Sequence, residues 1–200
     1  MINKVYFINL NHRIDRKSHI EQLLKNSGLD TIAERISAVN NPIIGAAGCT
    51  VSHILTLERF IGSNENYCLV LEDDFTLDDP TTLKDNIKKL FDDKVDFDVV
   101  QISGNHVDIK ECNYSYLKTV KDSQTTSGYI VNRRFANTLL ENFKECYTLM
   151  SKLGKCEQSC LDIHWKILQP ISKWYCFSPP LGYQMDGYSD VEKFNTSYKC

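Results

Sequence analysis

No stretch of this chain approaches the ~20 apolar residues that a membrane-spanning helix needs. The apolar run Val5-Tyr6-Phe7-Ile8 behind the first four residues is too short, and too soon followed by charge, for the hydrophobic region of a secretory signal. A cytoplasmic protein without a membrane span is therefore expected. Runs of basic residues are missing too, and the net charge is −3. That excludes a polybasic membrane anchor and the basic face of a general nucleic-acid binder. Cys156 and Cys160 stand four apart, but no second Cys or His pair completes a zinc site there. Without a secretory signal, the eight cysteines are read as reduced thiols. No internal repeat and no low-complexity segment interrupts the chain.

What remains is an ordinary globular composition, 42% hydrophobic and 10% aromatic over 200 residues. One domain covering residues 1–200 is expected, burying roughly 70% of its unfolded surface without help from disulfides. Lysine exceeds arginine, and Asn and Ile are frequent, which points to an AT-rich genome, bacterial or viral. Hydrophobic patterning predicts strands at 5–10, 35–39, 67–71, 97–102, 125–131 and 173–177. Helices are predicted at 15–26 (Ile20, Leu23 and Leu24 inward, Gly28 as stop), 49–61, 81–91, 133–146 and 161–168. In the second helix Val51, Ile54, Leu55 and Ile61 are assigned to the core face, and Asp79-Pro80 opens the third. Residues 105–122 read as edge strands or loops. The alternation implies an α/β sandwich with a mostly parallel central sheet flanked by helices. Ligands of such sheets sit beyond the carboxyl ends of the strands.

The unusual polar residues fall at those ends. The third strand delivers Glu72-Asp73-Asp74 at its edge. If the extended backbone continues, Glu72 and Asp74 share one side and Asp73 takes the other. Two carboxylates that close repel unless a cation lies between them, and oxygen ligands suit Mn2+ or Mg2+. A solvated acidic turn is the plain alternative. After the first strand, Asn9-Leu10-Asn11-His12-Arg13-Ile14-Asp15-Arg16 opens a helix, where backbone N–H groups attract anions. Arg13 and Arg16 can reach phosphate oxygens from one face, or simply pair with Asp15 or Glu21. Gly48-Cys49-Thr50-Val51-Ser52-His53 combines small residues that let a ligand approach backbone with donors on Ser52 and His53. Thr125-Thr126-Ser127 offers hydroxyls to a sugar or pyrophosphate, and Asp162 offers a base. Turn formation and helix capping are the local alternatives for these last residues.

In this order, these segments resemble glycosyltransferase family 25, which includes bacterial lipopolysaccharide galactosyltransferases and procollagen galactosyltransferases. The matching residues are Ile8-Asn9-Leu10 with Arg13 and Asp15-Arg16, Glu34-Arg35 with Ala38-Val39, and Gly48-Cys49 with Ser52-His53. Leu71-Glu72-Asp73-Asp74, Phe97-Asp98-Val99-Val100, Thr125-Thr126 with Tyr129-Ile130-Val131, and Asp162 complete the set. The resemblance implies a GT-A fold, a UDP-galactose or UDP-glucose donor, and inverting transfer to a hydroxyl of a glycan or a hydroxylysine. Glu72 and Asp74 are then the ligands of Mn2+ or Mg2+ and of the diphosphate, with Asp73 in support, and Asp162 is the general base. Asn9, Arg13, Arg16, Ser52, His53, Thr125 and Thr126 become donor-binding residues. With the chain ending at Tyr198-Lys199-Cys200, no C-terminal acceptor-binding extension is expected, which leaves the acceptor more open than the donor. Two other readings remain open. A sugar-1-phosphate nucleotidyltransferase shares the layout, but carries a glycine-rich loop where this chain has Asn11-His12-Arg13. A catalytically silent sugar- or nucleotide-binding protein needs no intact acidic cluster.

Overall fold

The computed structural model describes residues 1–154, 156 and 159–197; the Tyr198-Lys199-Cys200 end lies outside them. The chain begins with β1 (Val5–Asn9), α1 (Ile14–Asn26), β2 (Ala33–Ser37), α2 (Gly45–Ile61) and β3 (Tyr67–Glu72). A short β4 (Phe75–Thr76) and a 3-10 turn (Pro80–Thr82) lead to α3 (Leu83–Asp92) and β5 (Val99–Gln101). Next come β6 (Asn105–Glu111), β7 (Leu117–Gln124), β8 (Gly128–Asn132) and the long α4 (Arg133–Leu153). A single turn, α5 (Leu161–His164), runs into a 3-10 segment (Trp165–Ile171) and then β9 (Trp174–Phe177). The last pieces are β10 (Tyr183–Gln184), β11 (Gly187–Tyr188) and β12 (Asn195–Thr196).

The main sheet has eight strands in the order β2-β1-β3-β8-β5-β9-β7-β6. Six of the eight run one way; only β8 and β7 are reversed. The expected α/β sandwich with a mostly parallel sheet is what forms. Its two faces follow from alternation along each strand. Val5 and Phe7 of β1 and Leu69 and Leu71 of β3 enter one core with Leu24 of α1 and Ile87 of α3. Tyr6 and Ile8, with Cys68 and Val70, enter the other core against Leu57 and Phe60 of α2 and Phe143 of α4. The helices α1 and α2 thus cover opposite faces, which leaves a crevice at the carboxyl edge between β1 and β3. The reversal of β8 matters as much. Gly128 of β8 pairs with Leu71 of β3, so the residues entering β8 lie beside the acidic end of β3.

Several boundaries differ from the sequence reading. The α2 helix begins at Gly45, not Cys49, because Asn41 Oδ1 accepts the N–H groups of Ile43 and Ile44 and turns the chain early. Its core face also differs: Leu55 is 41% exposed, while Thr50, Ser52, His53 and Thr56 are buried with Ile54, Leu57 and Phe60. An apolarity count misses these polar positions. The Thr50, Ser52 and Thr56 hydroxyls each donate to a carbonyl four residues back, which satisfies them inside the core. Residues 105–122 form the edge strand β6 and most of its neighbour β7. The predicted helix at 161–168 is α-helical only to His164, and Pro170 stands in the 3-10 segment that follows. Among the described residues no helix is long and apolar enough to cross a membrane, and Cys49, Cys68, Cys112, Cys146 and Cys176 are free thiols.

Candidate active site

Three strand ends converge at the crevice: the carboxyl ends of β1 and β3 and the entry to β8. The extended backbone of β3 stops at Glu72, and Asp73-Asp74 form a turn into β4. The expected pairing of Glu72 with Asp74 on one side, opposite Asp73, therefore gives way to a different division.

Glu72 points to α2 and β8. Its Oε1 accepts from Thr126 Oγ1 (2.7 Å) and lies 3.2 Å from His53 Nε2. The other ring nitrogen, Nδ1, lies 3.1 Å from Tyr129 Oη. Burial pushes the Glu72 acid up, but the His53 and Thr126 partners outweigh it and hold the group below the usual carboxylate range.

Asp73 and Asp74 both face α1. Arg16 Nη1 donates to Asp74 Oδ2 (2.7 Å) and Asp73 Oδ1 (3.2 Å), and Asn9 Nδ2 donates to Asp73 Oδ2 (2.7 Å). Asn9 is itself held by Arg35 Nε on its Oδ1. Burial raises the Asp73 acid above its ordinary value. Burial and the neighbouring Glu72 charge push Asp74 up to about 7, against the opposing pull of Arg16. Asp74 Oδ1 is buried and accepts no hydrogen bond. A buried carboxylate oxygen without a partner is costly, and a bound cation is one way to satisfy it. A second group of ligand type lies alongside: Cys49 Sγ, a ring nitrogen of His53 and a carboxylate oxygen of Glu72 lie within 4.8 Å of one another.

Asp162 sits at the start of α5 and accepts the backbone N–H of Thr125 at 3.2 Å. Burial, and then repulsion from Glu72, raises its acid. Thr125 adopts φ +77, a left-handed conformation that a β-branched residue takes only under constraint. This kink delays β8 to Gly128 and turns Thr126 toward Glu72.

Arg13 and Ser52 both engage the chain's own groups in this structure, and Ser52 lines the pocket. Arg13 donates to Asp15 Oδ1 and Oδ2 (3.0 and 2.8 Å) and to Asp190 Oδ2 (2.6 Å), adopting the local pairing that its sequence left open. Ser52 Oγ accepts from Val39 N and donates to Gly48 O, so it fixes the loop after β2 to α2. The small residue Gly48 admits the chain's own backbone and not a ligand: a Cβ there would lie 2.3 Å from Val39 O.

The segment 183–191, which carries no recognisable motif, roofs the crevice. Gln184 Nε2 donates to Asp74 Oδ2 (3.1 Å), Met185 N to Asp74 O (2.8 Å), and Arg16 Nη2 to Tyr188 O (2.9 Å). The enclosed space between this roof, His53, Glu72 and Arg16 is about 110 Å³, small beside the roughly 300–1,000 Å³ of a typical ligand pocket. The only sequence signal there was a Pro-Pro, Gly-rich tail, which carries no periodicity.

Solved structures share this fold. One is a glycosyltransferase involved in glycosylation of the major capsid of PBCV-1, at TM-score 0.56 and 13% identity, covering 95% of this chain and 96% of that one. A mannose-1-phosphate geranyltransferase from Thermus thermophilus superposes at TM-score 0.51 and 9% identity, covering 88% and 74%. A UDP-glucose pyrophosphorylase complexed with UDP-glucose does so at 0.50 and 12%, covering 87% and 72%. At such identities the likeness is one of fold alone, a GT-A-type sandwich common to glycosyl- and nucleotidyltransferases. No curated protein sequence matches the chain. Residues 44–154, however, match glycosyltransferase family 25 (lipopolysaccharide biosynthesis protein). This span runs from the start of α2 through the acidic end of β3 to the end of α4, more than half of the chain, and on that match the protein belongs to glycosyltransferase family 25.

Proposed function

We propose that residues 1–200 act as one catalytic domain that moves galactose or glucose from a UDP-sugar to a hydroxyl of a glycan or a hydroxylysine-containing protein, with inversion. The observation that carries this reading is the buried, unpartnered Oδ1 of Asp74 beside Glu72, at the carboxyl edge of a sheet of this family. Glu72 and Asp74 would hold a divalent cation, Mn2+ or Mg2+. When bound, that cation offsets the charge that develops on a departing nucleoside diphosphate. Asp73 supports them by anchoring Asn9 and Arg16. Arg16 stands against both aspartates, placed to stabilise the same charge in the transition state. Arg13 lies at the outer rim, and the Tyr188–Asp190 contacts of both arginines give way as the donor enters. Ser52 and His53 wall the pocket, and Thr125 and Thr126 hold the β8 entry against Asp162 and Glu72. Asp162, whose acid is raised by burial, takes the proton of the acceptor hydroxyl as that oxygen attacks the anomeric carbon opposite UDP.

The test is UDP release from UDP-galactose and UDP-glucose with Mn2+, run beside pyrophosphate release from UTP and a sugar 1-phosphate. UDP release in the first assay supports the reading. Pyrophosphate release alone would reassign the protein as a nucleotidyltransferase, and donor binding with neither product would mark a silent binding protein.

A further inference from the structure

Cys49 and His53 lie one helical turn apart on α2 and face the end of β3. With Glu72 they bring a thiol, an imidazole and a carboxylate within 4.8 Å of one another, and all three line the same pocket. We infer that this triad is a second metal site, selective for thiophilic cations such as Zn2+ or Cd2+, and that its occupation antagonises the oxygen-ligated cation of the proposed reaction. The antagonism rests on the reading of Glu72 as a ligand of that catalytic cation; the triad itself does not.

The geometry is nearly assembled. Tetrahedral zinc bonds place sulfur and nitrogen about 3.6 Å apart and nitrogen and oxygen about 3.4 Å apart, from ordinary Zn–S, Zn–N and Zn–O lengths. The edge between His53 Nε2 and Glu72 Oε1 is already 3.2 Å, and Cys49 Sγ lies within 4.8 Å of both ligand atoms. Outer partners are in place as well. Tyr129 Oη can accept a hydrogen bond from Nδ1–H, which leaves Nε2 as the ligand, and Thr126 Oγ1 steadies the Glu72 oxygen. In the metal-free protein burial holds the Cys49 group as a thiol; on coordination it gives its proton to solvent. Sulfur and imidazole select against Mn2+ and Mg2+, whereas Glu72 with Asp74 offers only oxygen. The two sites share Glu72, so filling one withdraws a ligand from the other.

Co2+ is the spectroscopic probe. Titration of the full-length, metal-free protein is expected to raise a thiolate-to-cobalt charge-transfer band in the near ultraviolet, saturating at one equivalent and bleached by Zn2+. Cys49→Ser should abolish the band and weaken Co2+ binding beyond the ~10–100-fold that loss of an outer-shell partner costs. A variant with Cys156→Ser and Cys160→Ser should retain it. In the UDP-release assay Zn2+ should depress the Mn2+-supported rate of the parent protein, while the residual rate of Cys49→Ser loses its sensitivity to Zn2+. A cobalt spectrum without the band, or a band that survives in Cys49→Ser with an intact fold by circular dichroism, overturns the triad. Equal inhibition of both proteins overturns the antagonism. Should the protein release no UDP at all, the cobalt band still reads the triad, so the two failures are separable.

Discussion

Asp74 is the residue at which stability and activity pull against each other. Its acid is pushed up to about 7 by burial and by Glu72, against an ordinary value near 4. Between those pH values the folded protein binds its proton more tightly than the unfolded chain does. Stability from this group is therefore full below about pH 4 and is lost as pH rises through 7. Asp74→Asn removes that dependence. Melting curves of the metal-free proteins should show the parent losing ground to the variant between pH 5 and pH 8; parallel curves would contradict the buried, like-charged placement. The same substitution should lower transferase turnover by ~10²-fold or more, as loss of a key electrostatic contact does. Near-normal turnover in Asp74→Asn, with metal still required, would remove Asp74 from the ligand set. The acidic triplet was visible in the sequence as charge at a strand end. The division of labour within it was not, because the turn at Asp73-Asp74 replaces strand alternation with contacts to α1.

At the scale of elements, the pocket wall depends on how closely α2 approaches the loop after β2. Gly48 permits that approach, since a Cβ would fall 2.3 Å from Val39 O and 3.1 Å from Asn41 N. Backbone cannot yield as a flexible side chain would. Gly48→Ala should destabilise the fold by about 3 kcal/mol, the upper end of overpacking costs, measured by denaturant unfolding, and should raise KM for the donor because Val39 and Asn41 line the pocket. Gly62→Ala is the control. That residue ends α2 at φ −74, and its Cβ would meet only ordinary contacts from 3.4 Å outward, so a change below ~1 kcal/mol is expected. The helical spacing of α2 could be read from the sequence, yet its buried face could not. Thr50, Ser52 and Thr56 look solvent-facing until their back-bonds to the helix are known.

For the molecule as a whole, the crevice is the place where a ligand can couple to global stability. A nucleotide and cation that bind only the folded chain stabilise it by ~2.7 kcal/mol at one hundred times the dissociation constant. For a chain of this size that is a rise of roughly 5–10 °C in Tm, from 2–4 °C per kcal/mol. UDP with Mn2+ should produce such a shift in the parent protein and little of it in Asp74→Asn. An equal shift in both would place the nucleotide away from the acidic edge.

Taken alone, the sequence determined the α/β alternation, the strands that deliver Asn9 and Glu72, and the ordered motifs that resemble family 25. Those properties are local: side-chain periodicity and residue type at strand ends. The tertiary structure decided which of these residues meet. It reversed β8, so that Thr126 and Tyr129 reach Glu72 and His53, and it drew Arg13 to Asp15 and Asp190. It also folded residues 183–191 over the crevice. Contacts between segments more than 100 residues apart, such as Gln184 with Asp74 and Asp190 with Arg13, leave no periodic trace in the chain. They arise only where strand order and loop closure bring those segments to one edge of the sheet.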